Sequence, residues 1–232
     1  KTAFSVVGLI TVMALTAGST LNLYTEMRPQ HVNIHFYENL DTKKSFVHLS
    51  GNYKNVAASD PEPLIEPLAS YVDIENTKAI ASYAPEYKFR YWAESISSEW
   101  KEPSIAIKAR TKNIDSMAVT LKSNRNASRI ILLLPEASKL KSFNIGSQTI
   151  NVSPSTSGPF KGYYSIYLNG VYDKQIDLIL NFENYTKETK GYLMDISTKL
   201  PGHLDEIYQA RSGIFSPVHR GDQAILIKTV TI

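Results

Sequence analysis

Cysteine is missing from this chain altogether. That single absence excludes disulfides, iron–sulfur clusters, zinc ribbons and a thiol nucleophile. An excess of one charge is missing too. The 25 Lys and Arg stand against 22 Asp and Glu, a formal net charge of +3, too small to grip a nucleic-acid backbone. Only 11 Gly and 11 Pro occur, so a collagen-like or low-complexity chain is excluded as well. With 43% hydrophobic and 20% charged residues, the composition is that of a folded chain rather than a disordered one. What is present is 232 residues, enough for one large domain or two small ones with a proper core. Fourteen Tyr and eight Phe against two Trp lean the composition towards strands.

The chain opens on Lys1 rather than Met, which reads as a processed chain or a piece of a longer one. From Thr2 to Thr25 there is no charged residue, and Phe4–Leu15 forms an apolar run diluted by Ser5 and Thr11. About 20 predominantly apolar residues suffice to cross a bilayer as a helix. Lys1–Leu21 is therefore expected to be a hydrophobic, transmembrane helix; a signal peptide and a buried core helix are the alternatives. Residues 22–232 are expected to form a β-rich domain outside the cytoplasm, periplasmic or lumenal.

That remainder reads as strands. In HVNIHFY, Val32, Ile34 and Phe36 alternate with His31, Asn33 and His35, the period of a half-buried strand. ENLDTKK then suits a hairpin turn into Phe46–Leu49. SIAIKAR and MAVTLKS alternate likewise, while Arg129–Pro135 is continuously apolar, as for a strand covered on both faces. Gly146-Ser147 between two short apolar stretches signals another hairpin. YYSIYLNG, QIDLILNF, GYLMDIS and DQAILIKTVTI follow. About ten strands at this spacing predict an antiparallel β-sandwich-like domain with short helices. Ser59–Lys88, with Pro61, Pro63, Pro67 and Pro85, cannot be one helix and reads as a connection between the first hairpin and the sandwich. Leu200–Gly221 reads as a long connection before the last strand.

Chemistry-bearing motifs are scarce. His31 and His35 have the spacing of a helical zinc pair, but on a strand they stand about 13 Å apart, too far for one ion with bonds of ~2 Å. They are expected to face solvent. His48 and His203 look isolated, and His219, beside Arg220 and Asp222, suits a loop ion pair. G-x-S-x-G, H-E-x-x-H and the phosphate-binding glycine motifs are absent from the sequence. The most distinctive local feature is the aromatic stretch Tyr87–Trp100. It would either line a peptide or sugar groove, with Arg90, Trp92, Glu94 and Trp100 as binding candidates, or form a core strand with Phe89, Tyr91 and Ala93 on one face. Asn126, Asn151 and Asn184 each begin an N-x-[ST] sequence, exposed acceptors if the chain enters a eukaryotic lumen.

The order of features resembles a family. An uncharged, helix-like segment leads into an RP-x-x-V-x-I-x-F-Y stretch at Arg28–Tyr37. A D-x-S-x-x-LP turn follows at Asp195–Pro201, and a closing GD-x-A-x-L-x-K strand at Gly221–Lys228. This is similar to the C-terminal extracytoplasmic domain of multi-pass membrane zinc exopeptidases of the aminopeptidase type, whose eukaryotic relatives include the vacuolar membrane protease and the endoplasmic-reticulum metallopeptidase. The resemblance implies a non-catalytic accessory domain whose partners are an upstream peptidase domain and membrane helices. It places the zinc ligands and catalytic Glu in that peptidase domain. The single H-x-D string here, His203-Leu204-Asp205, falls in the connection before the last strand and not in a peptidase domain, so no catalytic residue transfers, and this chain is expected to hold no cofactor of its own. The alternative is a free-standing carbohydrate- or protein-binding module, anchored or secreted.

Overall fold

The computed structural model describes residues 30–51, 78–80, 87–89, 91–110, 115–185, 188–211, 215–217 and 221–232. Within them the chain is mainly β. The first strands are β1 (Gln30–Asn39), β2 (Lys44–Gly51), β3 (Lys78–Ile80), β4 (Tyr87–Phe89) and β5 (Tyr91–Ser95). The middle of the chain forms β6 (Ser104–Arg110), β7 (Ser116–Lys122), β8 (Arg129–Pro135), β9 (Leu140–Ile145) and β10 (Gln148–Asn151). The last are β11 (Tyr163–Asn169), β12 (Gln175–Phe182), β13 (Lys190–Ser197), β14 (Phe215–Ser216) and β15 (Gln223–Thr231). The one α-helix among the described residues, α1 (Asp205–Ala210), follows a single 3-10 turn at Gly202–Leu204.

Two sheets carry the architecture. The larger runs β11-β8-β13-β15-β1-β2-β5, with β14 beside β1; the smaller runs β10-β9-β12-β7-β6. Hairpins form where turn chemistry permits. Asn39 Oδ1 accepts the N–H groups of Asp41 and Thr42 at 3.0 and 3.1 Å, fixing the β1–β2 turn. Gly146, at φ +57°, closes the two-residue β9–β10 turn in the left-handed region that glycine enters without strain.

The larger sheet is mixed, not antiparallel as expected. β15 lies parallel to β1, from His35 opposite Gln223 to Asn39 opposite Ile227. A tight turn yields only antiparallel neighbours, but β15 reaches β1 from far along the chain. Its direction is set by its antiparallel partner β13.

The inner faces of the two sheets share one apolar layer. Met117, Val119 and Leu121 of β7, with Leu178 and Leu180 of β12, pack with Ile130 and Leu132 of β8, Leu193 of β13 and Val230 of β15. The rest of the same large-sheet face, including Ile34, Phe36, Val47 and Leu226, is covered by Leu204, Ile207 and the partly buried Trp100. The reverse face is apolar as well, through Tyr37, Ile131, Leu133, Met194 and Ile227. Burial on both faces is why β8 reads as an unbroken apolar run. The expected core strand at Tyr87–Trp100 is instead two: β4 pairs with β3, and β5 pairs with β2. The expected N-terminal helix, Lys1–Leu21, lies outside the described residues, as does most of Ser59–Lys88. Among the described residues no helix is long and apolar enough to cross a membrane.

Candidate functional site

A polar seam crosses the inner face of the large sheet where its two apolar clusters meet. Glu38 of β1 and Asp195 of β13 stand in one register row, on either side of Leu226 of β15. Both carboxylates are buried, at 1% and 0% exposure. Glu38 accepts hydrogen bonds from the hydroxyls of Ser97 and Ser98 and from the Ser98 N–H. Asp195 accepts from the Ser123 hydroxyl at 2.7 Å and lies 2.7 Å from Arg125 Nε. The Arg125 guanidinium also donates to Ser197 Oγ and to the Asp195 and Ala224 carbonyls, at 2.6, 2.9 and 2.8 Å. Its Cζ lies over the Trp100 ring, 4.6 Å from the centroid, a cation–π contact. Burial lowers the Arg125 pKa and raises that of Asp195, in each case against the pull of the partner's charge. The chemistry available here is fastening: the seam ties residues 97–100 and 123–127 to the sheet.

A second anchor lies at the other end of β1. Asp222 Oδ1 accepts from the Ile34 N–H at 2.8 Å and from Arg211 Nη1 at 2.6 Å. The ion pair expected around His219 thus runs from Asp222 to Arg211, because α1 carries Arg211 back over β1; His219 and Arg220 lie outside the described residues. Of the two histidines expected to face solvent, His31 does and His35 does not. His31 is exposed, 3.3 Å from Ser216 Oγ. His35 is half-buried, its ring edge-on to His48 at 4.8 Å. These two are cross-strand partners, a neighbourhood invisible to linear spacing. His203 places Nε2 2.9 Å from Ser95 Oγ, its ring 5.7 Å from Phe36. Burial lowers the pKa of His35, His48 and His203 alike.

Of the four binding candidates, Arg90 lies outside the described residues, and Trp92 is placed on β5 opposite His48. Glu94 is exposed on β5 opposite Phe46, and Phe46 belongs to the reverse-face cluster. Trp100 packs edge-on against Phe36, 6.1 Å away, on the inner face. Glu94 and Trp100 therefore stand on opposite faces of the large sheet.

The open cavity is elsewhere. On β11, Tyr163, Ser165 and Tyr167 alternate with the core residues Tyr164, Ile166 and Leu168, so they point to the reverse face. The loop 152–162 rises beside them and contributes Ser153, Ser155, Ser157, Pro159 and Phe160. Together they enclose about 290 Å³. Phe160 and Tyr167 stand 6.3 Å apart with tilted rings, and Tyr163 lies 6.0 Å from Tyr192. Burial and the neighbouring Tyr192 raise the Tyr163 pKa, so its phenol stays neutral. The Ser165 hydroxyl is buried and has no hydrogen-bond partner among the described residues. None of these lining residues was singled out from the sequence. The available signal was Y-x-S-x-Y on a strand beside S-x-S-x-S in a loop.

Fold and site together define a mainly β domain with a serine- and aromatic-lined surface cavity. No family model matches this chain, and no curated protein matches it. Among solved structures it is similar to the Fcho1 Mu homology domain of Danio rerio with bound Eps15 peptide. The identity is 8% and the TM-score 0.29, over 86% of this chain and 92% of that one. A TM-score of that size carries no argument about fold or function.

Proposed function

We propose that this chain is the non-catalytic C-terminal accessory domain of a membrane-bound zinc peptidase of the aminopeptidase type. In this reading its β-domain is extracytoplasmic, it packs on or assists the peptidase domain it follows, and residues 1–21 tie it to the membrane. Zinc belongs to the peptidase domain. The observation that supports the reading is the role of the residues that carry the resemblance. Asp195 and Ser197 of the D-x-S string, at the end of β13, hold Arg125, and Asp222 of the GD string, just ahead of β15, holds Arg211 and the Ile34 N–H. These motif residues serve the fold, which is what an accessory domain and its relatives would share. The test has two arms. The purified chain, with zinc added, should not turn over aminoacyl substrates, and the coding sequence ahead of Lys1 should specify an H-x-D-bearing peptidase domain followed by membrane helices. Turnover by this chain alone, or a different protein encoded upstream, would sink the proposal.

A second reading has its own observation. The cavity on β11 suits a free-standing carbohydrate- or protein-binding module, and an upstream sequence without a peptidase would favour it.

A further inference from the structure

The geometry points to the β11 cavity as a binding site for a neutral pyranose sugar unit; the inference rests on reading this chain as a non-catalytic binding domain. Among the described residues the lining carries no charged side chain. It therefore offers nothing to neutralise a phosphate, a carboxylate or an ammonium group. What it offers is hydroxyls and aromatic rings. Ser153, Ser155 and Ser157 bring hydroxyls from the loop wall, each able to donate once and accept twice. The Ser155 hydroxyl already donates to the Ser157 carbonyl at 2.8 Å, which leaves its lone pairs to accept. Ser165 is the sharper observation. It lines the cavity, and its buried hydroxyl has no partner among the described residues. Buried polar groups are ordinarily bonded, and an exception needs an explanation. A ligand hydroxyl reaching the cavity floor supplies one.

The aromatic groups fit the same ligand. Tyr167 is half-exposed at the cavity, at 50%, and Phe160 is tilted against it. A pyranose ring presents weakly positive C–H groups on its faces, which suit the negative face of an aromatic ring. The volume, about 290 Å³, lies at the small end of ligand pockets, which begin near ~300 Å³. It suits one sugar ring with its neighbours outside.

An extended peptide is the competing occupant, since β11 has no strand beyond it in the described sheet and edge strands invite strand addition. Here the chain's own loop occupies that edge at the cavity. Ser155 N–H donates to the Tyr163 carbonyl, and Gly162 N–H to the Ser155 carbonyl, both at 2.9 Å. Backbone pairing with a guest strand is thereby blocked at Tyr163, where the loop meets β11.

The test is titration of the full chain with maltotriose, cellotriose, mannotriose and chitotriose, followed by tyrosine NMR signals and calorimetry. At least one should saturate the protein and shift the Tyr167 ring signals. Tyr167→Ala and Ser165→Val should each weaken that binding by about tenfold or more while leaving the far-ultraviolet spectrum unchanged. Should Ser165→Val fail to fold, Ser157→Val, on an exposed residue, takes its place. Overturning results are no shift with any of the four at millimolar concentration, or binding that survives the substitutions. A neutral extended peptide binding at Tyr167 where sugars do not would overturn it equally. The aminoacyl turnover assay is independent, so loss of the sugar site and loss of the non-catalytic reading are told apart.

Discussion

Arg125 and Asp195 form a buried ion pair at the junction of the two inner apolar clusters, Nε to Oδ1 2.7 Å, with side chains 5% and 0% exposed. The Nε–H is not aligned on Oδ1 as in a hydrogen bond; the other guanidinium nitrogens make that kind of bond instead, to Ser197, Asp195 and Ala224. One side chain from the β7–β8 connection thereby grips β13 and β15 together. Removing either charge strands the other where water cannot reach it.

Arg125→Met and Asp195→Leu should each destabilise the fold by about 3–5 kcal/mol, the usual cost of a buried charge left alone. The double variant should recover a large part of that loss, since two apolar groups need no partner. Urea unfolding of all three decides it. Single variants with wild-type midpoints would mean the pair contributes no constraint.

Acid should weaken the fold from pH 6.5 downward. Burial, with His35 repulsion second, holds the His48 pKa well below its ordinary 6.5. The unfolded chain therefore takes up this proton first. Stability is complete above 6.5 and falls as pH drops towards the depressed native value, by up to about 1.4 kcal/mol per pH unit for each such group. His35 and His203 act in the same direction, with Asp222 and Glu38 respectively opposing burial. Unfolding midpoints measured on both sides of pH 6.5 should show the slope, and His48→Gln should flatten it. An equal slope in that variant would remove His48 from the account.

Gly191 on β13 has no room for a side chain. A Cβ there would lie 2.5 Å from the Leu133 carbonyl oxygen and 2.7 Å from Leu134 Cδ2. Gly191→Ala should cost about 1–3 kcal/mol through displaced backbone. Gly202→Ala, where nothing stands within 4 Å, should leave the melting temperature unchanged or raise it. Equal melting temperatures for the two variants would show that β8 and β13 can separate freely.

Trp100 supports Arg125 and Phe36 rather than opening on the β11 cavity. Trp100→Ala should lower stability by about 1–3 kcal/mol and leave trisaccharide binding at Tyr167 intact. Calorimetry on the folded variant measures both. Lost binding with unchanged stability would make Trp100 a ligand contact.

The alternation of Val32, Ile34 and Phe36, the turn at Gly146-Ser147 and the unbroken apolar run of β8 were legible in the sequence, because side-chain period and turn chemistry act between near neighbours. So were Ala224, Leu226, Val230 and Ile232 as one buried face of the closing strand. The D-x-S and GD motifs were legible as strings, with no sign of what they hold. Only the tertiary structure decided that Asp195 meets Arg125, that Asp222 meets Arg211, that His35 meets His48, and that β15 runs parallel to β1. It alone brought the serines of the 152–162 loop against the outward face of β11. Each of these pairings depends on strand order and register between segments distant in sequence. Local periodicity says which face a residue occupies, while the energy that selects its neighbours across the sheet comes from burying two faces at once.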